Sequence, residues 1–482
     1  MRKLLITYIP VLLLASACTK NIQDLNNNQK AAITVPAGSV FLAGQKNLVD
    51  DITTPAGGTD PFRNFAQTWT EITYTSEAQY ILTQYNSPDN WWGVLYGGTN
   101  PGVLNNFVNA KLNFPATAPT PGALKNDLII TDIMEVYAYN LLVTTYGNIP
   151  YTEANNRAIP FPKYDDAKSV YADLLTRLDT CIAGLDPNSS AMGGADHVYS
   201  GNAAAWKKFA ATLKLKMAML LADTDPATAS KKVLEAVATG VFTSNADNAT
   251  FAYQGAPTGN TNPIWQAPNI SGRHDNVPAN TLVDQMVAWS DPRLPLYFTQ
   301  VGGVYKGGQP GAGNSFIGFS TFSSKVMDST NAGVLLDYPE TEFLLAEAVE
   351  RGIAVGGTAA DHYNAGITGS ILYWGGSSTD ASTYLAQPSV AYATAAGDYH
   401  QKIGYQQWIA DYNRGWDAWT SIRRLGYPDI NTINPPVGAI SPMPLRFYYP
   451  LTEQSANSIN YKAAVSAIGG NDAVTTKLFW MK

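Results

Sequence analysis

Two stretches of the sequence bring aromatic rings together with hydrogen-bonding side chains outside any helical pattern. Trp69, Tyr74 and Tyr80 stand in a Thr- and Gln-rich run. Trp265 precedes Arg273, His274 and Asp275 in a loop rich in Gly, Pro and Asn, and Tyr305 and Phe316 follow in the next loop. The chemistry such a set can do is non-covalent. A ring buries the apolar face of a polar ligand while carboxylate, guanidinium and imidazole groups hydrogen-bond its edge. Trp265 is the first candidate for this role and Trp69 the second. The competing reading is that each ring plugs its loop onto the core. Of the adjacent pair Trp91 and Trp92, at least one belongs there.

Covalent and metal chemistry find little footing. The four histidines, His197, His274, His362 and His400, form no His-Glu-x-x-His pair, and no Cys/His cluster offers metal ligands. There is no Gly-x-Ser-x-Gly elbow and no phosphate-cradling glycine loop. Asp165 with Asp166, or Glu347 with Glu350, could be nominated as the acid pair of a glycosidase. Both pairs read better as helix-start and helix-surface charge. The chain is therefore expected to be no enzyme, with no catalytic residue, metal or cofactor.

The elements that must position the rings are helical. Apolar residues at helical spacing predict helices over Leu128–Tyr146, Asp166–Leu185 and Ala204–Ala222. Lys207, Lys208, Lys214 and Lys216 lie off the apolar stripe of the last and are expected on its solvated face. Pro339 opens a helix that stops near Gly352, and Ala359–Trp374, His400–Tyr412 and Trp416–Leu425 give three more. Gly255–Asn280 and Gly302–Lys325 are long irregular stretches. Such loops persist in folded domains when they carry a site.

The N-terminus has a different job. Arg2 and Lys3, the apolar run Leu4–Leu14, and Ala15-Ser16-Ala17 before Cys18 form a secretory signal over residues 1–17, with a lipoprotein-type cleavage site. Ala15 stands where such sites usually carry leucine. Acyl chains on Cys18 would anchor the mature chain to a membrane. Residues 18–39, rich in Asn and Gln, read as a tether to a domain spanning 40–482. Cys181, the other cysteine, lies in a helical stretch and reads as a buried structural thiol. No second hydrophobic run is expected to span a membrane. The whole chain carries a formal charge of −7, with 38 acidic residues against 31 basic. Losing Arg2 and Lys3 makes it more acidic still, which argues against nucleic acid as a partner. Charged residues are 14% while Tyr numbers 27 and Trp 11, a balance that suits uncharged polar ligands.

Five segments then point to a family. They are TTYGNIPYTEA (Thr144–Ala154), DHVYSGNAAAWKKFAATLKLKMAM (Asp196–Met219) and YPETEFLLAEAVERG (Tyr338–Gly352). IGYQQWIADYNRGWDAWTSIRRLGYP (Ile403–Pro428) and RFYYPLTEQSANSINY (Arg446–Tyr461) complete the set. In this order, behind a lipoprotein signal, they resemble the motifs of SusD/RagB outer-membrane nutrient-binding lipoproteins, in the SusD-like branch. Asn202, Lys216 and Asp417 depart from the Asp, Arg and Glu the family often carries. Only one acid, Asp24, follows closely on Cys18, fewer than surface-exported members often show.

The resemblance implies a mainly α fold. It would be a single large domain of tetratricopeptide-like helical pairs, with long irregular loops facing the ligand; no regular 34-residue repeat is present. It implies an outer-membrane location, lipid-anchored and facing the exterior. The implied role is capture of a glycan, delivered to a SusC-like TonB-dependent transporter as partner. The aromatic rings would then stand on loops around the scaffold, and Trp206, Trp408, Trp416 and Trp419 of the motifs would be core. Arg423 and Arg424 would pair with carboxylates such as Asp417 and shape a helix end. A cell-surface glycoside hydrolase, a binder of peptide or another non-sugar nutrient, and a helical adaptor that binds only protein are the alternatives.

Overall fold

The computed structural model describes residues 35–98 and 101–482; the signal segment, Cys18 and most of the tether lie outside them. The first helix, Ala37–Thr53, begins inside the span assigned to the tether. Ala37, inside that span, is fully buried, as are Phe41, Leu48 and Val49 farther along the helix, so this end of the span is already part of the core.

The architecture from Ala37 onward is a series of helical pairs. Pro121–Tyr146 packs on Ala167–Gly184, Ala203–Leu220 on Pro226–Thr239, Tyr338–Glu350 on Ala359–Trp374, and Tyr399–Ala410 on Gly415–Leu425. Local chemistry sets the ends. Asp166 caps its helix by accepting the Ser169 N–H (2.9 Å), and Asp337 does the same for Glu340 (2.9 Å). Thr358 and Asp361 form a reciprocal capping box. Gly426 closes Gly415–Leu425 at φ 74°, a conformation that costs glycine nothing.

Pro121–Tyr146, 26 residues long, is apolar and long enough by composition to cross a membrane, contrary to the sequence reading. Of its most apolar window, 83% is buried inside the protein, so protein rather than lipid covers it. The motif tryptophans Trp206, Trp408, Trp416 and Trp419 are core, as anticipated. Each indole N–H is satisfied, by Asp196, the Ala66 carbonyl, Thr145 and the Pro444 carbonyl in turn. Cys181 is buried, and desolvation pushes its thiol well up.

The lysines are a correction. Lys214 and Lys216 are each only 3% exposed. Lys214 reaches Asp179 (2.5 Å) and Glu235 (2.6 Å). Lys216 joins a buried ion cluster that ties three helices together. It pairs with Glu340 (2.8 Å) and Asp417, while Arg414 pairs with Asp337 (2.8 Å), Asp411 (3.3 Å), Asp417 (2.8 Å) and Glu340. Burial alone would raise the Glu340 carboxyl, but the Lys216 and Arg414 charges outweigh it and hold it down to about 2. Lys216 and Asp417, two of the departures from the family motif, thus face each other across one ion pair. Arg423 donates to the Thr144 and Leu445 carbonyls and lies over Trp419, and Arg424 pairs with Glu347 rather than Asp417. Glu347 is itself fully buried, not on the helix surface.

Two small antiparallel sheets join the loops to the scaffold. In one, β1 (Trp69–Glu71) pairs with β3 (Asn276–Pro278), aligning Trp69 with Pro278 and Glu71 with Asn276. In the other, β2 (Ala249–Phe251) pairs with β4 (Gly333–Leu336). The β1–β3 ladder draws both loop regions singled out in the sequence to one place.

Candidate functional site

Strand β1 builds the floor of a cavity of about 650 Å³. Side chains two apart on a strand share a face, so Trp69 and Glu71 both line it while Thr70 lies between them. The walls come from Thr54–Gly58, from Pro263–Asn276 with its short helix Pro263–Asn269, and from Phe316, Thr321, Phe322 and Met327. Buried Arg63 fixes the first wall, donating to the Thr54 carbonyl (2.8 Å) and the Asn413 carbonyl (2.8 Å).

The rings at this site differ in what they offer. Tyr74 is 44% exposed and Tyr85 38%, and the two meet edge to face with centroids 5.9 Å apart. The Arg273 guanidinium lies 5.1 Å from the Tyr74 centroid and is held by Asp275 at 2.5 Å. His274 stands against Phe316, centroids 4.5 Å apart. Trp69 is only 2% exposed; Phe322 covers it at 4.0 Å and Arg63 at 4.9 Å. It supports the floor and has no open face for a ligand.

Of the sequence candidates, the cavity therefore brings together Trp69, Tyr74, Arg273, His274 and Asp275, with Phe316. Trp265 is not in its wall. Helix Pro263–Asn269 turns Ile264, Ala267 and Pro268 toward the cavity, and at 3.6 residues per turn position 265 falls away from that face. Tyr80 is 2% exposed and packs edge-on against Phe65 (5.7 Å), a core residue. Tyr305 is half-buried against the core and also lies outside the lining.

Sequence reasoning passed over Glu71, Glu77, Tyr85 and Phe322, all in the lining. Glu71 could have been found by strand alternation from Trp69. Glu77 is fully buried, and burial pushes its carboxyl up to about 7. The Glu71 carboxyl is raised well above the carboxylate range, first by burial and then by the nearby charge of Glu77. Glu77 Oε1 accepts the Ser87 hydroxyl (3.3 Å). Glu71 Oε2 also accepts the Ala78 N–H (3.2 Å). Gly57 presses on the other oxygen, since a Cβ there would stand 2.0 Å from Glu71 Oε1.

The nominated acid pairs lie elsewhere and are occupied. Asp166 is a helix cap, and Asp165 accepts the Thr152 N–H (2.7 Å). Glu347 pairs with Arg351 (2.8 Å), and Glu350 accepts the Tyr392 hydroxyl (2.6 Å). Among the described residues, no group of three or more His, Cys, Asp or Glu side chains is placed to hold a metal ion.

The fold and site thus define a scaffold of helical pairs carrying a loop-built cavity with exposed aromatic rings. Residues 27–450 match the SusD-like family described as starch-binding and associating with the outer membrane, and the chain belongs to that family. No curated protein matches it. Among solved structures it is similar to a chitin-binding protein, with 27% identity, TM-score 0.77, and coverage of 93% of this chain and 100% of the other. A chitin-binding SusD homologue from Flavobacterium johnsoniae is 26% identical with TM-score 0.74, covering 92% and 98%. A SusD homologue from Bacteroides uniformis is 26% identical with TM-score 0.76, covering 92% and 99%.

Proposed function

We propose that this chain is an outer-membrane lipoprotein, anchored through Cys18 and facing the exterior. It captures a glycan and delivers it to a SusC-like TonB-dependent transporter. The observation that carries the reading is the cavity with Tyr74, Tyr85 and Phe316 beside Glu71, Arg273, His274 and Asp275. Rings bury sugar faces, and the polar groups pair with hydroxyls. Two solved relatives described as chitin-binding make N-acetylglucosamine polymers the first ligands to try, and the family description adds starch.

The test is affinity electrophoresis of the unlipidated mature protein in gels containing soluble chitin derivatives, starch or other polysaccharides, with released reducing sugar assayed in parallel. Retardation by one polymer, weakened by Tyr74→Ala and without sugar release, supports capture. Sugar release, or no retardation by any polymer, overturns it.

A further inference from the structure

Part of the cavity wall is aliphatic and has few groups left to hydrogen-bond with. Helix Pro263–Asn269 turns Ile264, Ala267 and Pro268 toward the cavity. Positions three and four apart share one helix face. The Asn262 side chain seats the helix start by accepting the Ile264 N–H (2.7 Å). The same amide donates to the Asn331 carbonyl (2.6 Å), and the Asn262 N–H donates to the Ser329 carbonyl (2.9 Å). These bonds pin the segment that carries Met327, another lining residue, to the helix. Pro55 and Ala56 border the same cavity.

Main-chain donors and acceptors along this wall are largely spent. Pro55 and Pro268 have no N–H. The Pro55 carbonyl accepts from Asn276 Nδ2 (2.9 Å), and the Ala56 carbonyl accepts the Thr59 and Asp60 N–H groups (both 2.9 Å). The Ala56 N–H donates to Thr54 Oγ1 (3.3 Å). The Ala267 carbonyl accepts the Arg273 N–H (2.9 Å). Two oxygens remain as acceptors. Pro268 deprives the Ile264 carbonyl of its helical donor. Gln266, also in the lining, donates its amide N–H to the Thr261 carbonyl (2.6 Å), which leaves its Oε1 to accept.

We propose that this wall is an acyl pocket, selecting sugars that carry an N-acetylated amine over sugars with a hydroxyl or free amine in its place. The proposal rests on the glycan-capture reading and sharpens it to a substrate class. An acetamido group has a methyl for the aliphatic surface and an N–H for an acceptor oxygen. Burying the methyl is favourable, and the N–H keeps a partner. A hydroxyl leaves the aliphatic surface uncovered and finds no donor for its own lone pairs. A protonated amine gives up its hydration against Ile264, Ala267 and Met327, which is costlier still.

The test is calorimetric titration of the unlipidated mature protein near pH 6, where free amines are protonated. The probes are tetramers of N-acetylglucosamine and of glucosamine, cellotetraose and maltotetraose. The first three share one linkage and differ only at the second carbon of each ring. The acetylated tetramer is expected to bind about tenfold or more tighter than the other two, the scale of one well-matched group. Ala267→Leu fills the pocket and should weaken the acetylated tetramer about tenfold, with thermal melting as the check on folding. Ala267→Asp gives the wall a charged acceptor and should raise affinity for the glucosamine tetramer about tenfold, a gain that no folding defect mimics. Should Ala267→Leu not fold, Ala267→Asp decides. Glucosamine or glucose tetramers bound as tightly as the acetylated one would overturn this inference and leave glycan capture standing. So would a folded Ala267→Leu with unchanged affinity, or an Ala267→Asp with no gain. A wild type that binds none of the four removes both.

Discussion

Glu77→Gln offers a test of the electrostatics that needs no ligand. Burial raises the Glu77 carboxyl from its ordinary 4.5 to about 7 in the folded protein. The unfolded chain keeps the ordinary value. The folded state therefore binds the proton more tightly, and its stabilisation is fully present below pH 4.5. It is lost as pH rises through about 7, where the carboxyl must ionise inside the fold. The gap corresponds to about 3 kcal/mol at pH 8. The glutamine amide of the variant cannot ionise and keeps the shape. Urea unfolding of both proteins from pH 4.5 to pH 8 should give near-equal stabilities at the acid end. At the alkaline end the variant should be ahead by up to about 3 kcal/mol. A difference independent of pH would refute the reasoning, and so would a variant less stable at pH 8. Either would mean that Glu77 is ionised at little cost, with water or a cation reaching it.

Other perturbations separate scaffold from site. Arg414→Ala leaves Asp337, Asp411 and Asp417 without their shared cation, and should cost about 3–5 kcal/mol in denaturant unfolding. Trp265→Ala should leave oligosaccharide affinity within about twofold, while Tyr74→Ala lowers it about tenfold in the same titration, the scale of one lost stacking contact. Gly57→Ala forces a methyl against Glu71 Oε1. It should cost about 1–3 kcal/mol of stability and weaken ligand binding in parallel.

Local pattern in the sequence is enough to specify the helical scaffold. Helical spacing found Ala359–Trp374 to the residue and Gly415–Leu425 to within one. Apolar periodicity is local, and capping residues such as Asp166 and Thr358 mark the ends within a few positions. The family was legible for the same reason: its motifs are packing segments, with Trp206, Trp408 and Trp419 fixed in place by their neighbours. Composition also located the two loop regions that supply much of the cavity. It could not decide the direction each loop side chain takes. Trp265 and Ile264 are adjacent in sequence, yet only Ile264 faces the cavity, because a short helix rotates them apart. Trp69 reaches the cavity but is sandwiched between Arg63 and Phe322, the latter from a loop far along the chain. Lys216 sits off an apolar stripe and is still buried, because a second and a third helix bring Glu340 and Asp417 to it. The folded chain alone sets Glu71 against Glu77 in a cavity walled by loops distant in sequence. Burial and charge proximity are properties of that assembly, and no local pattern in the sequence encodes them.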